Sequence, residues 1–290
     1  MSFKIVTDTS ANLPRELVEK YDITVIPLSY YLDGEEFTET SIGDGTEYYG
    51  KIKNGAKVTT SQVAPQKYID SFSPILASGN DIMFIGMSSG ISGTYYCAQI
   101  AAEELKDEFP ERRISLFDTL GASLGEGLLV LEAARMRADG AEIDEIEEKL
   151  KKMRGKMYQI FTVDDLMHLK RGGRVSSTAA IIGTVLHIKP LLKGNEVGRI
   201  VTCGKARGTK KSVEALAERY NSLVESPESQ TVGIAHAANP EAAEYLKTLL
   251  ESSKPPKEII TVCYEPVTGA HVGPGALALF FEGADGVRRE

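Results

Sequence analysis

The chain reads as an α/β protein of two domains. The first would be a three-layer α/β/α unit with a mostly parallel sheet, the second an α/β unit with a mixed sheet. Three observations predict this. Apolar strand-like runs alternate with helical segments through the first half. From about Lys156 the pattern changes to hairpin-like pairs mixed with crossovers. The length of 290 residues, with 42% hydrophobic and 26% charged residues, is enough for two substantial cores. The division falls at residues 1–155 and 156–290.

Taken in order, FKIVTD is a strand and Ser10 to Lys20 a helix with Pro14 near its first turn. ITVIPLSYYL is extended and turns at Asp33-Gly34, and EYYGKIKNG is a short helix stopped by Gly55. After TTSQVAP comes a helix near Gln66 to Ala77, then a buried strand at Ile82 to Ile85. A turn of glycines and hydroxyls follows that strand and leads into a helix running through AAEEL. RRISLFDT is a strand, and Gly125 to Asp139 and Ile143 to Arg154 are expected to be amphipathic helices. In the second half YQIFTV is a strand, and LMHLKRGGRVSSTAAIIGTVL is helix, basic glycine turn, helix. IKPLL and GRIVTC form a hairpin around Gly194-Asn195, and Thr209 to Leu223 is a helix. TVGIAHA, a helix from Pro240 to Ser252, EIITVC and ALALFF complete the chain.

Composition narrows the function. Thirty-three basic against 41 acidic residues give a net charge of -8, which opposes non-specific binding to nucleic acid. The start, MSFKIVTDTS, enters a strand directly and lacks the apolar core of a signal peptide. The run AAIIGTVLHIKPLL is cut by His187, Lys189 and Pro190, too soon to span a bilayer. Three scattered cysteines, without CxxC spacing, argue against a disulfide framework or a zinc site and fit the cytoplasm. His168, His187 and His236 share no metal-ligand spacing.

The richest stretch is DIMFIGMSSGISGTYYCAQ, residues 81–99. Its turn lies at the carboxyl end of a strand and at the start of a helix, where open α/β folds bind anions. Ser88, Ser89, Ser92 and Thr94 offer hydroxyls, Gly90 and Gly93 allow close approach, and no basic residue is present. That chemistry suits a single carboxylate better than a triphosphate. Two further segments join it: Thr59-Thr60-Ser61-Gln62, and Gly269 to Ala276 with His271. Each segment by itself also reads as turn and capping chemistry. A rival reading is a serine esterase, because Gly86-Met87-Ser88-Ser89-Gly90 is a literal G-x-S-x-G with His271 late in the chain. Against it, Gly90 to Gly93 separate the serine from the helix.

In order and spread, these motifs resemble the DegV family of bacterial fatty-acid-binding proteins. Asp8-Thr9-Ser10-Ala11-Asn12-Leu13-Pro14 is similar to the family's opening D-S-x-x-D-L-P. Thr60-Ser61-Gln62 and Ser92-Gly93-Thr94-Tyr95 match T-S-Q and S-G-T-Y. Gly172-Gly173-Arg174, Ile188-Lys189-Pro190-Leu191-Leu192 and Lys205-Ala206-Arg207 match its middle segments, and His271 with Gly273-Pro274-Gly275-Ala276 its closing H-x-G-P-G-A. Thr9, Val63 and Phe117-Asp118-Thr119 depart from the family's usual residues.

The resemblance implies one long-chain fatty acid held between two domains and no other cofactor or metal. The protein would be a carrier, and the catalytic subunit of a partner fatty acid kinase would phosphorylate the bound carboxylate. That role belongs to phospholipid synthesis, leaves room for transient membrane contact and involves no nucleic acid. Carried over by position, Thr60, Ser61, Ser92, Gly93, Thr94 and His271 would hold the carboxylate. Ile91, Ile181, Ile182, Val185 and Leu186 would line the acyl tunnel. Arg174, Lys205 and Arg207 would meet the kinase.

Overall fold

The computed structural model describes residues 2–38, 42–175 and 187–289. Thirteen strands and ten α-helices are described, in three sheets. The first sheet is parallel throughout, in the order β2-β1-β6-β7, with β1 Phe3–Asp8, β2 Thr24–Ile26, β6 Asp81–Gly86 and β7 Ile114–Asp118. All six residues of β6 are buried, as a central parallel strand covered on both faces requires. Between β2 and β6 lie β3 Ser29–Leu32, β4 Glu35–Phe37 and β5 Val58–Ser61, which form a separate antiparallel sheet in the order β4-β3-β5. Thus TTS, expected to be a loop before a helix, is mostly an edge strand, which fixes the direction of Thr60 and Ser61.

The helices of this half are α1 Arg15–Lys20, α2 Thr46–Lys53, α3 Pro65–Ala77, α4 Thr94–Glu108, α5 Leu124–Ala138 and α6 Ile143–Lys156. Two differ from expectation. Helix α1 starts only at Arg15, because Thr9–Ala11 forms a 3-10 turn ended by Asn12 at φ 54°. Helix α5 is not amphipathic: ten of its residues are buried, from Leu124 to Ala134, since it contacts strands of both large sheets.

The third sheet is mixed, in the order β10-β9-β8-β13-β11-β12. Its strands are β8 Met157–Thr162, β9 Ile188–Gly194, β10 Ile200–Arg207, β11 Thr231–His236, β12 Glu258–Cys263 and β13 Leu277–Glu282. Only β11 and β12 pair in parallel. The β9–β10 hairpin turns where expected, with Asn195 Oδ1 accepting the N–H groups of Val197 and Arg199. The remaining helices are α7 Met167–Arg171, α8 Thr209–Leu223, α9 Pro240–Ser253 and α10 Pro266–Val272. The helix expected after the glycine turn at 172–173 lies outside the described residues.

Alternation along β8 and β13 gives this sheet two different faces. Tyr158, Ile160, Leu279 and Phe281 join one cluster with α8 and α9. Phe161, Ala278 and Phe280 face the other way and join the larger cluster, which also contains Ile5, Phe84 and Leu128. One core therefore spans both large sheets, and the cavity described next opens within it. Helix α6 ends at Lys156 and β8 begins at Met157.

Candidate functional site

A cavity lies between the two large sheets, lined by residues of both. Its walls are largely apolar, with Met87, Leu120, Phe161, Leu169, Ile200 and Phe280 among them. Met87, Ile91 and Ser92 enter it from the carboxyl end of β6. That position is beside the switch point of the parallel sheet, where the chain order reverses between β1 and β6.

Three segments distant in sequence converge at one end. From β5, Thr60 places Oγ1 2.8 Å from Nε2 of His271 on α10. From the start of α4, Ser92 Oγ donates to Thr94 Oγ1 at 2.9 Å and accepts from the Thr94 N–H. The β5 and α4 segments are fastened together, because Val63 N–H donates to Thr94 Oγ1 and Gln62 Nε2 reaches Cys97 Sγ at 3.3 Å. Helix α10 is set by its own links. Glu265 caps it by accepting from the N–H groups of Val267 and Thr268, and Asn12 bridges Cys263 O and the Glu265 N–H. The opening motif at residues 8–14 thus positions the far end of the chain.

Among the expected carboxylate ligands, Thr60, Ser61, Ser92 and His271 line the cavity, and so does Ile91 of the expected tunnel. Gly93 and Thr94 do not line it. They stand behind Ser92, where Thr94 is fully buried and orients the serine hydroxyl. Ile181, Ile182, Val185 and Leu186 lie outside the described residues. Sequence reasoning missed Thr268, one helical turn before His271, which lines the cavity. It also missed Ser123 and Gln159. The signal for Gln159 was present: it is the one amide in the otherwise apolar run YQIF of β8.

Burial, reinforced by the Arg174 guanidinium, holds the His271 pKa down to about 4, so the ring is neutral at pH 7. A neutral imidazole with its proton on Nε2 donates to Thr60 Oγ1 and leaves the threonine hydroxyl free to donate to an anion. Gly172 makes room for the ring, since a Cβ there would overlap His271 Nδ1. Arg174 Nε donates to Ile91 O at 3.0 Å and its Nη1 to Gly172 O, so this arginine braces the mouth. Thr60, Arg174 and His271 also line an outer cleft that holds Lys53, Lys57, Arg171, Asp164 and Asp165. The apolar cavity and the charged cleft therefore share these three residues. Lys205 and Arg207 lie elsewhere, exposed on the edge strand β10.

Beneath the site Asp8, Glu126 and Glu265 are buried. Glu126 accepts from Ser10 Oγ and contacts Thr7 Oγ1, and Asp8 accepts from the N–H groups of Ser10 and Met87. Burial raises all three pKa values, that of Glu265 to about 7.

The esterase arrangement is not formed. Ser88 is fully buried, donates to Gly198 O at 2.9 Å and accepts from the Gly90 N–H, while His271 Nε2 is at Thr60. Among the described residues no cluster of His, Cys, Asp and Glu could hold a metal ion, and no helix is long and apolar enough to cross a membrane.

The sequence profile of the DegV family, described as uncharacterised proteins, matches residues 2–284. The chain belongs to the DegV family. A DegV domain-containing protein of Clostridium perfringens is 40% identical over 283 residues, 97% of each chain. Among solved structures, a DegV family protein from Thermus thermophilus, described by its fatty acid binding, is 29% identical. Its TM-score is 0.89, and the match covers 98% of this chain and 100% of that one. DegV of Bacillus subtilis, described as a fatty acid binding protein, is 30% identical with a TM-score of 0.84, covering 98% and 100%. The two-domain α/β architecture of those DegV structures matches the parallel and mixed sheets found here.

Proposed function

We propose that this DegV protein binds one long-chain fatty acid in the cavity, between domains that meet near residues 155 and 156, and presents its carboxylate at the cleft. The observation that carries the reading is the Thr60–His271 pair at the point where an apolar cavity meets a charged cleft. Thr60 donates to the carboxylate, Ser92 does so when its hydroxyl turns from Thr94 Oγ1 to the ligand, His271 fixes the direction of the Thr60 hydroxyl, and Ser61 and Thr268 offer further hydroxyls. No buried arginine salt bridge is required, because hydroxyl donors beside a helix start satisfy a single carboxylate. The tail supplies most of the affinity. At about 0.8 kcal/mol per buried methylene, a long acyl chain contributes on the order of 10 kcal/mol before ordering costs. The likeness to DegV structures described as fatty acid binding supports the same ligand class.

In this reading the protein has no catalytic group of its own. A partner fatty acid kinase in the cytoplasm reaches the carboxylate through the cleft and phosphorylates it for phospholipid synthesis. Arg174 shapes the opening, while Lys205 and Arg207 steer the partner. The test is to incubate delipidated protein with stearate, then add the kinase subunit and ATP. Acyl phosphate formed only when both proteins are present supports the reading. Stearate binding without any phosphorylation removes the kinase role and leaves the carrier role.

A further inference from the structure

In the cavity wall, one buried hydroxyl lacks the partner that buried polar groups normally have, and an amide facing it is only partly satisfied. Ser123 is 1% exposed, lines the cavity, and its Oγ has no hydrogen-bond partner. It occupies the N-cap position of α5, but its side chain makes no capping hydrogen bond, and its backbone holds φ 52°. Gln159 is 7% exposed and also lines the cavity. Its Nε2 donates to Leu120 O at 3.3 Å, which leaves Oε1 without a donor. The two lie on facing elements. The Gln159 amide packs against Gly121 and Gly125, the residues two positions before and two after Ser123.

Strand β8 gives the depth. It runs from Gln159 past Phe161, a cavity residue, to Asp164 and Asp165, which line the outer cleft just beyond the strand. The strand part of that path, Gln159 to Thr162, covers roughly 10 Å. Thr60 and His271 line both the cavity and the outer cleft, whereas Ser123 and Gln159 line the cavity alone. The polar pair is therefore separate from the carboxylate end and lies along the path of the tail.

A plain methylene chain would cover both groups and leave a hydroxyl donor and an amide acceptor buried and unpaired. A secondary hydroxyl on the chain matches them, accepting from Ser123 Oγ–H and donating to Gln159 Oε1. A keto oxygen satisfies only Ser123, and a cis double bond satisfies neither. We propose that Ser123 and Gln159 form a second polar subsite that selects long-chain fatty acids carrying a hydroxyl in the middle or distal part of the chain. The proposal rests on the fatty-acid reading above.

The experiment is competition binding by delipidated full-length protein between stearate and a positional series of monohydroxystearates. At least one isomer hydroxylated well away from the carboxylate should bind as tightly as stearate or more tightly. The 2- and 3-hydroxy isomers should show no such gain. The ratio of that isomer's affinity to that of stearate should fall about five- to tenfold in Ser123→Ala and in Gln159→Leu, the worth of one hydrogen bond. Ser123→Gly removes the hydroxyl while relieving the positive φ, so it repeats the test if Ser123→Ala folds poorly. If every isomer binds more weakly than stearate, with the same ratio in the variants, the subsite is wrong and the pair holds only a structural water. If stearate also fails to bind, the fatty-acid reading itself falls, and this proposal with it.

Discussion

Thr60 and His271 are 211 residues apart in sequence, yet Thr60 Oγ1 lies 2.8 Å from His271 Nε2. A strand from the small antiparallel sheet and a helix from the second half meet there, where the apolar cavity adjoins the charged cleft.

The first prediction concerns the carboxylate ligands. Thr60→Ala, Ser92→Ala and His271→Ala should each weaken fatty-acid binding about tenfold to a hundredfold, because a hydrogen bond to a charged group contributes roughly 1.5–3 kcal/mol. Displacement of a fluorescent fatty acid measures it. Three variants that bind like the wild type would place the carboxylate elsewhere.

The space at Gly172 gives a sharper test of His271. Gly172→Ala suits the backbone, whose φ is -70°, but its Cβ would overlap the imidazole. The variant should lose fatty-acid affinity about as much as His271→Ala, with a smaller change in melting temperature. Unchanged affinity would mean that the ring position is not needed for binding.

Much of this was legible in the sequence, for physical reasons. Apolar runs such as those of β6 and β8 announce buried strands, and α8 ends where its periodicity ends. The β3-β4-β5 sheet was harder, because VTTS and EEF are short and polar and gain their order from pairing. The burial of α5 was hidden because being packed on every side is a property of its neighbours. At the site, each segment alone read as turn and capping chemistry, and the resemblance to the DegV family pointed to Thr60, Ser92 and His271 together. The opposite wall was missed because alternation shows that Gln159 and Phe161 share a face, but not that the face turns toward a cavity.

A third prediction concerns pH. Glu265 titrates near pH 7 in the folded protein and about 4.3 when unfolded. Its burial costs nothing at low pH, and stability falls as pH rises through that interval. Asp8 and Glu126 act in the same direction. Glu265→Gln weakens the α10 cap, so it should melt below the wild type at pH 5. The gap should close or reverse by pH 8. A gap that stays constant across that range would show that Glu265 is ionised throughout.

Partner recognition separates the basic residues. Arg174 donates to Gly172 O and Ile91 O, so Arg174→Ala should lower the melting temperature and fatty-acid affinity. Lys205→Ala and Arg207→Ala should leave both unchanged and reduce kinase-dependent acyl phosphate formation. Their deficit should be largest at low salt and shrink as salt screens the wild-type attraction. Normal phosphorylation at every salt concentration would move the docking surface away from β10.

The most direct test of the central claim is native mass spectrometry of the protein purified from cells. We expect one adduct of long-chain fatty-acid mass, bound non-covalently and lost on denaturation, with a single equivalent taken up again after delipidation. A clean apo mass, together with failure to take up added stearate or oleate, would contradict the claim that this DegV protein is a fatty-acid carrier.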